Sequence, residues 1–366
     1  MKRIIALCAL ASLLAACAPA VAEQGWESAA DALQNMRIGW NLGNTLDSNG
    51  AWIAEKTKGE PSDYETAWGN PVTTPEIIQT VKDAGFGMVR VPVTYREHMD
   101  ENGTIDEKWL DRVEEIVNYV LDEGLYCIIN VHHDTGAEGW LRAVNDEQAQ
   151  ERFCGIWRQL CARFGGYGEK LVFEGFNELL DEKAEWNAPG PVALQAVNRL
   201  NQAFVDTVRA SGGNNATRNL AVTTYAAGSS PLLLMNFTLP TDPAEGHLMV
   251  EVHSYDPWGF NSSEVPWTTM TDQWSDEYTQ VLEKQYARLG EMFTQKGVPV
   301  LMGEFGNEDK NNLDQSVQYA ALTIRYAREN GVTCCYWDCS NFILLDRKTC
   351  TWLRPEFVQA MMNELP

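Results

Sequence analysis

Eight short runs of strand-forming residues, spaced by segments of helical periodicity or by polar connections, recur from residue 37 to the end of this 366-residue chain. The runs cover residues 37–42, 87–91, 126–131, 171–176, 220–224, 248–252, 298–302 and 332–337. The clearest helical segment is 108–121, where Trp109, Leu110, Val113, Ile116, Val117, Val120 and Leu121 place apolar side chains along one face. Further helical segments are predicted at 75–83, 147–163, 191–210, 277–294, 314–328 and 355–365. Gly85, Gly124, Gly297 and Gly331 stand where helices must stop ahead of strands. This alternation predicts an α/β protein, a single (β/α)8 TIM barrel. An open, doubly wound sheet is the alternative. It would want a glycine-rich phosphate loop after an early strand, and neither a G-x-G-x-x-G nor a Walker string occurs.

In a parallel barrel the chemistry sits at the C-terminal ends of the strands. The second run ends with Arg90, the third leads into His132 and His133, and the fourth into Asn177-Glu178. The sixth leads into His253-Ser254-Tyr255, the seventh into Glu304, and the eighth ends with Trp337. Each has a bland explanation alone: Arg90 as an ion-pair partner, a histidine as scaffolding, Trp337 as a plug. Their convergence on one face points to a site. The connections 45–74 and 254–276 are long, are rich in Trp, Gly, Pro and Asn, and would wall a cleft on that face.

A glutamate at the tip of a buried strand is a poor choice for packing. Two of them, on separate strands, supply the acid and the nucleophile that glycosidic cleavage requires. On this reading Glu178 is the general acid and then base, and Glu304 is the nucleophile, held anionic by Arg90 and a hydrogen bond from Tyr255. Asn177 is placed for a sugar 2-hydroxyl, while His253 and His132 orient Glu178 and the substrate. His133 is either a further substrate contact or scaffold. Asn41 and Asn44, at the top of the first strand, are expected to bind sugar hydroxyls. Flat aromatic faces stack on pyranose rings. The candidates are Trp337 above all, then Trp258, with Trp68, Trp140, Trp186 and Trp267 in the same loops. Trp109 and Trp157 fall on helix patterns and read as core.

The formal net charge of −23 repels nucleic acid and anionic lipid, so a neutral substrate fits better than a polyanion. The start of the chain reads as a targeting segment, with Lys2-Arg3 followed by the apolar stretch 4–14. Leu14-Ala15-Ala16-Cys17 then resembles a bacterial lipobox, whose cysteine is lipidated; cleavage after Ala22 is the alternative. Either route takes the protein out of the cytoplasm. The expected layout is a signal peptide over residues 1–17, a short linker over 18–30 and one domain over 31–366. Cys127, Cys154 and Cys161 read as small buried hydrophobes, and Cys335, Cys339 and Cys350 offer one disulfide. The cysteine spacing does not suit a zinc site.

The ordered motifs resemble glycoside hydrolase family 5, and within it the endoglucanases and xyloglucanases of subfamily 4. They are Gly39-Trp40-Asn41-Leu42-Gly43-Asn44-Thr45-Leu46-Asp47, Trp68-Gly69-Asn70-Pro71, Val89-Arg90-Val91-Pro92 and Asn130-Val131-His132-His133-Asp134. Phe176-Asn177-Glu178, His253-Ser254-Tyr255, Gly303-Glu304-Phe305-Gly306 and Tyr336-Trp337-Asp338 complete the set. The resemblance covers nearly all of the chain after the leader. It implies a retaining endo-β-1,4-glucanase of (β/α)8 fold, without metal or other cofactor, acting on a neutral β-glucan polysaccharide. A monomer is expected, touching a membrane only through a lipid on Cys17. The segment Cys339-Ser340-Asn341 departs from the Asn-Gly of many relatives, beside the expected cleft. A β-mannanase or xylanase on the same fold, or a glycan-binding lipoprotein without activity, are the competing readings.

Overall fold

The computed structural model describes residues 25–366 except Val265 and Trp267, so the leader, Cys17 and Trp267 lie outside the described residues. Eight parallel strands close into a barrel in sequence order: β1 (Ile38–Asn41), β2 (Met88–Val91), β3 (Tyr126–Asn130), β4 (Leu171–Glu174), β5 (Leu220–Gly228), β6 (Leu248–His253), β7 (Val300–Phe305) and β8 (Val332–Trp337). The predicted helices form the outer ring, among them Glu107–Asp122, Pro191–Ala210 and Leu313–Glu329. After β5 the chain makes only the short helix Pro231–Met235, which accounts for the lack of a long helical pattern there. The tryptophans Trp109 and Trp157 are fully buried beneath this ring, as their spacing implied.

The period of two along a strand sorts the barrel interior into levels. The lower level is apolar: Met88, Ile128, Val172, Ala221, Met249, Leu301 and Cys335 form one buried cluster. The helix Ala29–Met36 closes that end, adding Ala29, Ala32, Leu33 and Met36 to the cluster. This helix starts inside the stretch assigned to a linker over 18–30. Its N-cap Ser28 accepts from the backbone N–H of Asp31, and the N–H of Ala29 donates to the carbonyl of Gly246. Folded structure therefore begins earlier than the composition suggested, because four small or apolar residues at helical spacing cap the barrel floor.

Two residues further along the same strands the inward positions turn polar. Met88 gives way to Arg90, Ile128 to Asn130, Val172 to Glu174 and Met249 to Glu251, and all four polar residues are fully buried. Register brings Asn41 beside Arg90 and Asn130 beside Glu174. The anticipated disulfide does not form. Cys335, Cys339 and Cys350 are free thiols, as are Cys127, Cys154, Cys161 and Cys334. Cys335 faces into the barrel interior as part of the apolar layer, where it is committed to packing.

Candidate active site

The polar level is organised around Arg90. Its guanidinium forks onto Glu174, with Nε to Oε2 at 2.6 Å and Nη2 to Oε1 at 2.7 Å. Nη1 donates to Glu304 Oε1 at 2.8 Å and to Asn41 Oδ1 at 2.9 Å, and Nη2 donates to Asn177 Oδ1 at 3.0 Å. Burial alone would lower its pKa, but the charges of Glu174, Glu304 and Glu251 outweigh that and hold it well above the ordinary arginine value. A rigid, permanently charged fork is what such a junction needs. Glu174→Ala is expected to cost about 3–5 kcal/mol of stability, because it strips a buried cation of its bidentate partner. Urea unfolding monitored by far-UV circular dichroism checks this, and a loss below about 1 kcal/mol would contradict it.

Glu304, at the top of β7, is nearly buried and is gripped from both sides. Arg90 holds one oxygen, and the Tyr255 hydroxyl donates to the other at 2.7 Å. Burial pushes the Glu304 carboxyl above its ordinary value, while His253, Arg90 and the Tyr255 donor pull the other way. Burial and the neighbouring carboxylates raise the Tyr255 phenol well above its usual range, so it remains a donor. The cysteine-bearing turn after β8 is held by Asn44, whose Nδ2 donates to Ser340 Oγ at 2.8 Å. Both residues adopt positive φ, 55° at Asn44 and 45° at Ser340.

Glu178 stands one residue after Asn177, beyond the end of β4, and its side chain keeps 23% of its surface exposed, against 6% for Glu304. His253 Nδ1 lies 2.9 Å from Glu178 Oε1. A carboxylate oxygen of Glu178, a ring nitrogen of His253 and a carboxylate oxygen of Glu304 all lie within 4.8 Å of one another. That closeness suits the ~5–5.5 Å of retaining glycosidases better than the ~6.5–9.5 Å that an inverting enzyme leaves for water. Asn177 offers its Nδ2 to the cleft, since only its Oδ1 is engaged, by Arg90.

The remaining predicted residues divide. His132 is buried. Its Nδ1 lies 3.1 Å from Asn130 Nδ2, and the Asn130 amide is oriented by donating to Glu174 and accepting from the N–H of Val93. Nδ1 is thus an acceptor, and the proton sits on Nε2. Burial, together with the positive charges nearby, drives the His132 pKa well below its usual value, so the ring is neutral. It stacks on Trp337 at 5.6 Å and 6° instead of hydrogen-bonding Glu178. His133 is partly exposed and sits 5.7 Å from the half-exposed Trp68, as a cleft residue would. Trp337 is largely buried against Gly43, where an added Cβ would meet the indole at 3.0 Å.

Asn41 is a correction. It is 0% exposed, and its amide donates to the carbonyls of Gly303 and Tyr336 while accepting from Arg90. The barrel closes over it, so it positions Arg90 and does not meet a sugar. Trp140 pins its loop, with Nε1 donating to Asp134 and Arg152 lying over the ring. Trp186 and Trp258 are exposed and line a cleft of about 940 Å³ that opens beside Glu178, His253 and Tyr255. Asn44 and Trp68 come from the loop after β1 and His133 from the loop after β3, strands separated by β4 and β7 from β5 and β6 in the barrel order. The sequence reading missed Glu174, Glu251 and Asn130. The available signal was a charged or amide residue in the middle of an otherwise apolar strand.

A family model described as cellulase (glycosyl hydrolase family 5) matches residues 46–343. Endoglucanase A of Ruminococcus albus is 36% identical over 352 residues, covering 92% of each chain. The cellulase/esterase CelE of Acetivibrio thermocellus is 38% identical over 92% of this chain, which spans only 40% of CelE's length. Among solved structures, a GH5-4 broad specificity endoglucanase from Ruminococcus champanellensis with bound cellotriose superposes with a TM-score of 0.86. It is 40% identical, over 93% of this chain and 99% of that one. The family 5 enzyme PbGH5A of Prevotella bryantii, in complex with a xyloglucan tetradecasaccharide, gives a TM-score of 0.85 at 38% identity over 93% and 99% of the two chains. A closed (β/α)8 barrel, two glutamates facing each other at its mouth and a family model covering most of its length agree: this chain belongs to glycosyl hydrolase family 5.

Proposed function

We propose that the protein is a retaining endo-β-1,4-glucanase that cleaves internal β-1,4-glucosidic bonds by double displacement. The observation that carries this reading is the close Glu178–Glu304 pair, with Arg90 and Tyr255 on Glu304 and His253 on Glu178. In the first step Glu304 attacks the anomeric carbon while Glu178 gives a proton to the departing oxygen. In the second, Glu178 takes a proton from water, which displaces Glu304 from the glycosyl-enzyme. The Tyr255 and Arg90 bonds fix the attacking carboxylate in one orientation, and each loosens its hold as the charge on Glu304 is consumed. Asn177 Nδ2 meets the sugar 2-hydroxyl, a contact that strengthens in the transition state.

The substrate is a neutral β-glucan: cellulose-type, mixed-linkage or xyloglucan chains. The relatives named above support this class, as do the exposed tryptophans Trp68, Trp186 and Trp258. A cleft running across the barrel mouth suits attack within a chain. Hydrolysis is expected on carboxymethylcellulose, lichenan and xyloglucan, with little on xylan or mannan, as read by reducing-sugar release. Release from mannan or xylan alone would favour the mannanase or xylanase reading. Release from none would favour a binding protein. Export through the leader, lipid attachment at Cys17 and a monomeric state complete the proposal. Metabolic labelling with a palmitate analogue, lost in Cys17→Ala, tests the anchor.

A further inference from the structure

Glu251 is a charged residue of the barrel's polar level that, unlike Glu174 with its fork from Arg90, has been given no task so far. It lies on β6, 0% exposed, and both carboxylate oxygens lack a hydrogen-bond partner. Its nearest cationic partner is His253, whose Nε2 lies 2.7 Å from Oε1, and its charge also reaches Arg90. The opposite nitrogen of the same ring, Nδ1, is 2.9 Å from Glu178. A neutral imidazole has a single N–H. It would therefore turn a bare nitrogen lone pair onto one of two carboxylates closer than 3 Å. Once Glu178 has given up its proton, only the imidazolium suits both contacts.

The space for this arrangement is built into the neighbouring strand. A Cβ at Gly303, on β7 beside Glu304, would fall 1.9 Å from Glu251 Oε1. The residue before the nucleophile must be glycine for the Glu251 carboxylate to stay where it is. A buried carboxylate without hydrogen bonds is costly, and an adjacent cation is what makes it tolerable.

Resting on the glycosidase reading, we propose that Glu251 is a positioning residue that keeps His253 an imidazolium, so that the carboxylate formed when Glu178 gives up its proton always faces a cation. The charged and titratable groups around His253 fit this. Glu251 on β6, Glu304 on β7 at 3.6 Å and Glu178 after β4 are the acids. Arg90 on β2 is already committed to Glu174 and Glu304, Tyr255 is a neutral donor, and His132 after β3 is neutral. Burial would strip the proton from His253, but the charges of Glu251 and Glu304, with its close contacts to Glu178 and Glu251, hold its pKa well above the ordinary value. Glu251 heads that set of acids and takes no part in bond making.

The test uses the full chain with ¹⁵N-labelled histidine and its Glu251→Gln variant. In the wild type both His253 ring nitrogens should be protonated at about pH 7. In Glu251→Gln the ring should titrate between about pH 5 and 8. Kinetically, the variant should lose about five-fold more kcat on an aryl β-cellobioside with a poor leaving group than on an activated one, with KM changed less than about two-fold. The alkaline limb of its pH–rate profile should move to higher pH, since a cation beside the acid is gone. Glu251→Asp, which keeps the charge, should keep the wild-type limb, and it serves if the glutamine variant does not fold. A neutral His253 in the wild type at about pH 7, or equal losses on both glycosides, would overturn the proposal. If the wild type cleaved no glycoside, the functional reading would fail, while the nitrogen spectra would still decide the charge of His253.

Discussion

Glu304→Ala is expected to lower kcat/KM on β-glucan by at least about 10⁴-fold and to leave the barrel folded. The fold survives because Arg90 keeps its fork on Glu174 and its bonds to Asn41 and Asn177. The chemistry does not, because Glu304 alone combines a charged oxygen, two fixed donors and a position across from the acid. Removing the side chain leaves a small hole flanked by Arg90 and Tyr255, a fit for a small anion. Added azide should enter it, attack the anomeric carbon of an activated cellobioside and restore turnover, releasing an α-glycosyl azide. Activity lost at every azide concentration in a folded variant, or a β-glycosyl azide as product, would contradict the assignment.

Glu178→Ala should show the second large effect, and its pattern matters more than its size. For a poor leaving group, which needs a proton as it departs, the loss should reach about 10²–10⁴-fold. For an activated aryl cellobioside the first step needs no proton, so the glycosyl-enzyme should still form. It should then accumulate, because no base remains to activate water, and kcat and KM should fall together. A burst of phenol followed by slow turnover reads this directly. Equal loss on both substrates would remove Glu178 from the acid role and leave the partly exposed carboxylate as a substrate contact.

The strands and most helices were legible because a parallel strand buried on both faces is a local apolar run, and the helices carry one apolar face each. The two glutamates were legible because they break such runs at their ends. The supporting level was not. Glu174 and Glu251 look in sequence like charges that would turn outward, and only barrel closure reveals that they face inward onto Arg90 and His253. Asn41 misled for the same reason: position at a strand top suggests exposure, but register places it beside Arg90, fully buried. The helix Ala29–Met36 is short and precedes the first strand, so its task of closing the barrel floor appears only once Met88, Ile128 and Leu301 gather above it. The Cys335 thiol suggested oxidation chemistry and proved to be packing, which spacing cannot distinguish. Ser340, in the segment Cys339-Ser340-Asn341, takes a left-handed turn and is tied to Asn44.

The central claim is that Glu304 becomes covalently bonded to the sugar. Incubating the protein with a 2-deoxy-2-fluoro-β-cellobioside bearing an activated leaving group slows the second step more than the first and should trap that adduct. Peptide mass spectrometry should then find the fluorosugar on the peptide containing Gly303-Glu304-Phe305, with the ester on Glu304. A label on Glu178, or no label while the first product formed from the unmodified substrate is the α-anomer, would contradict the account.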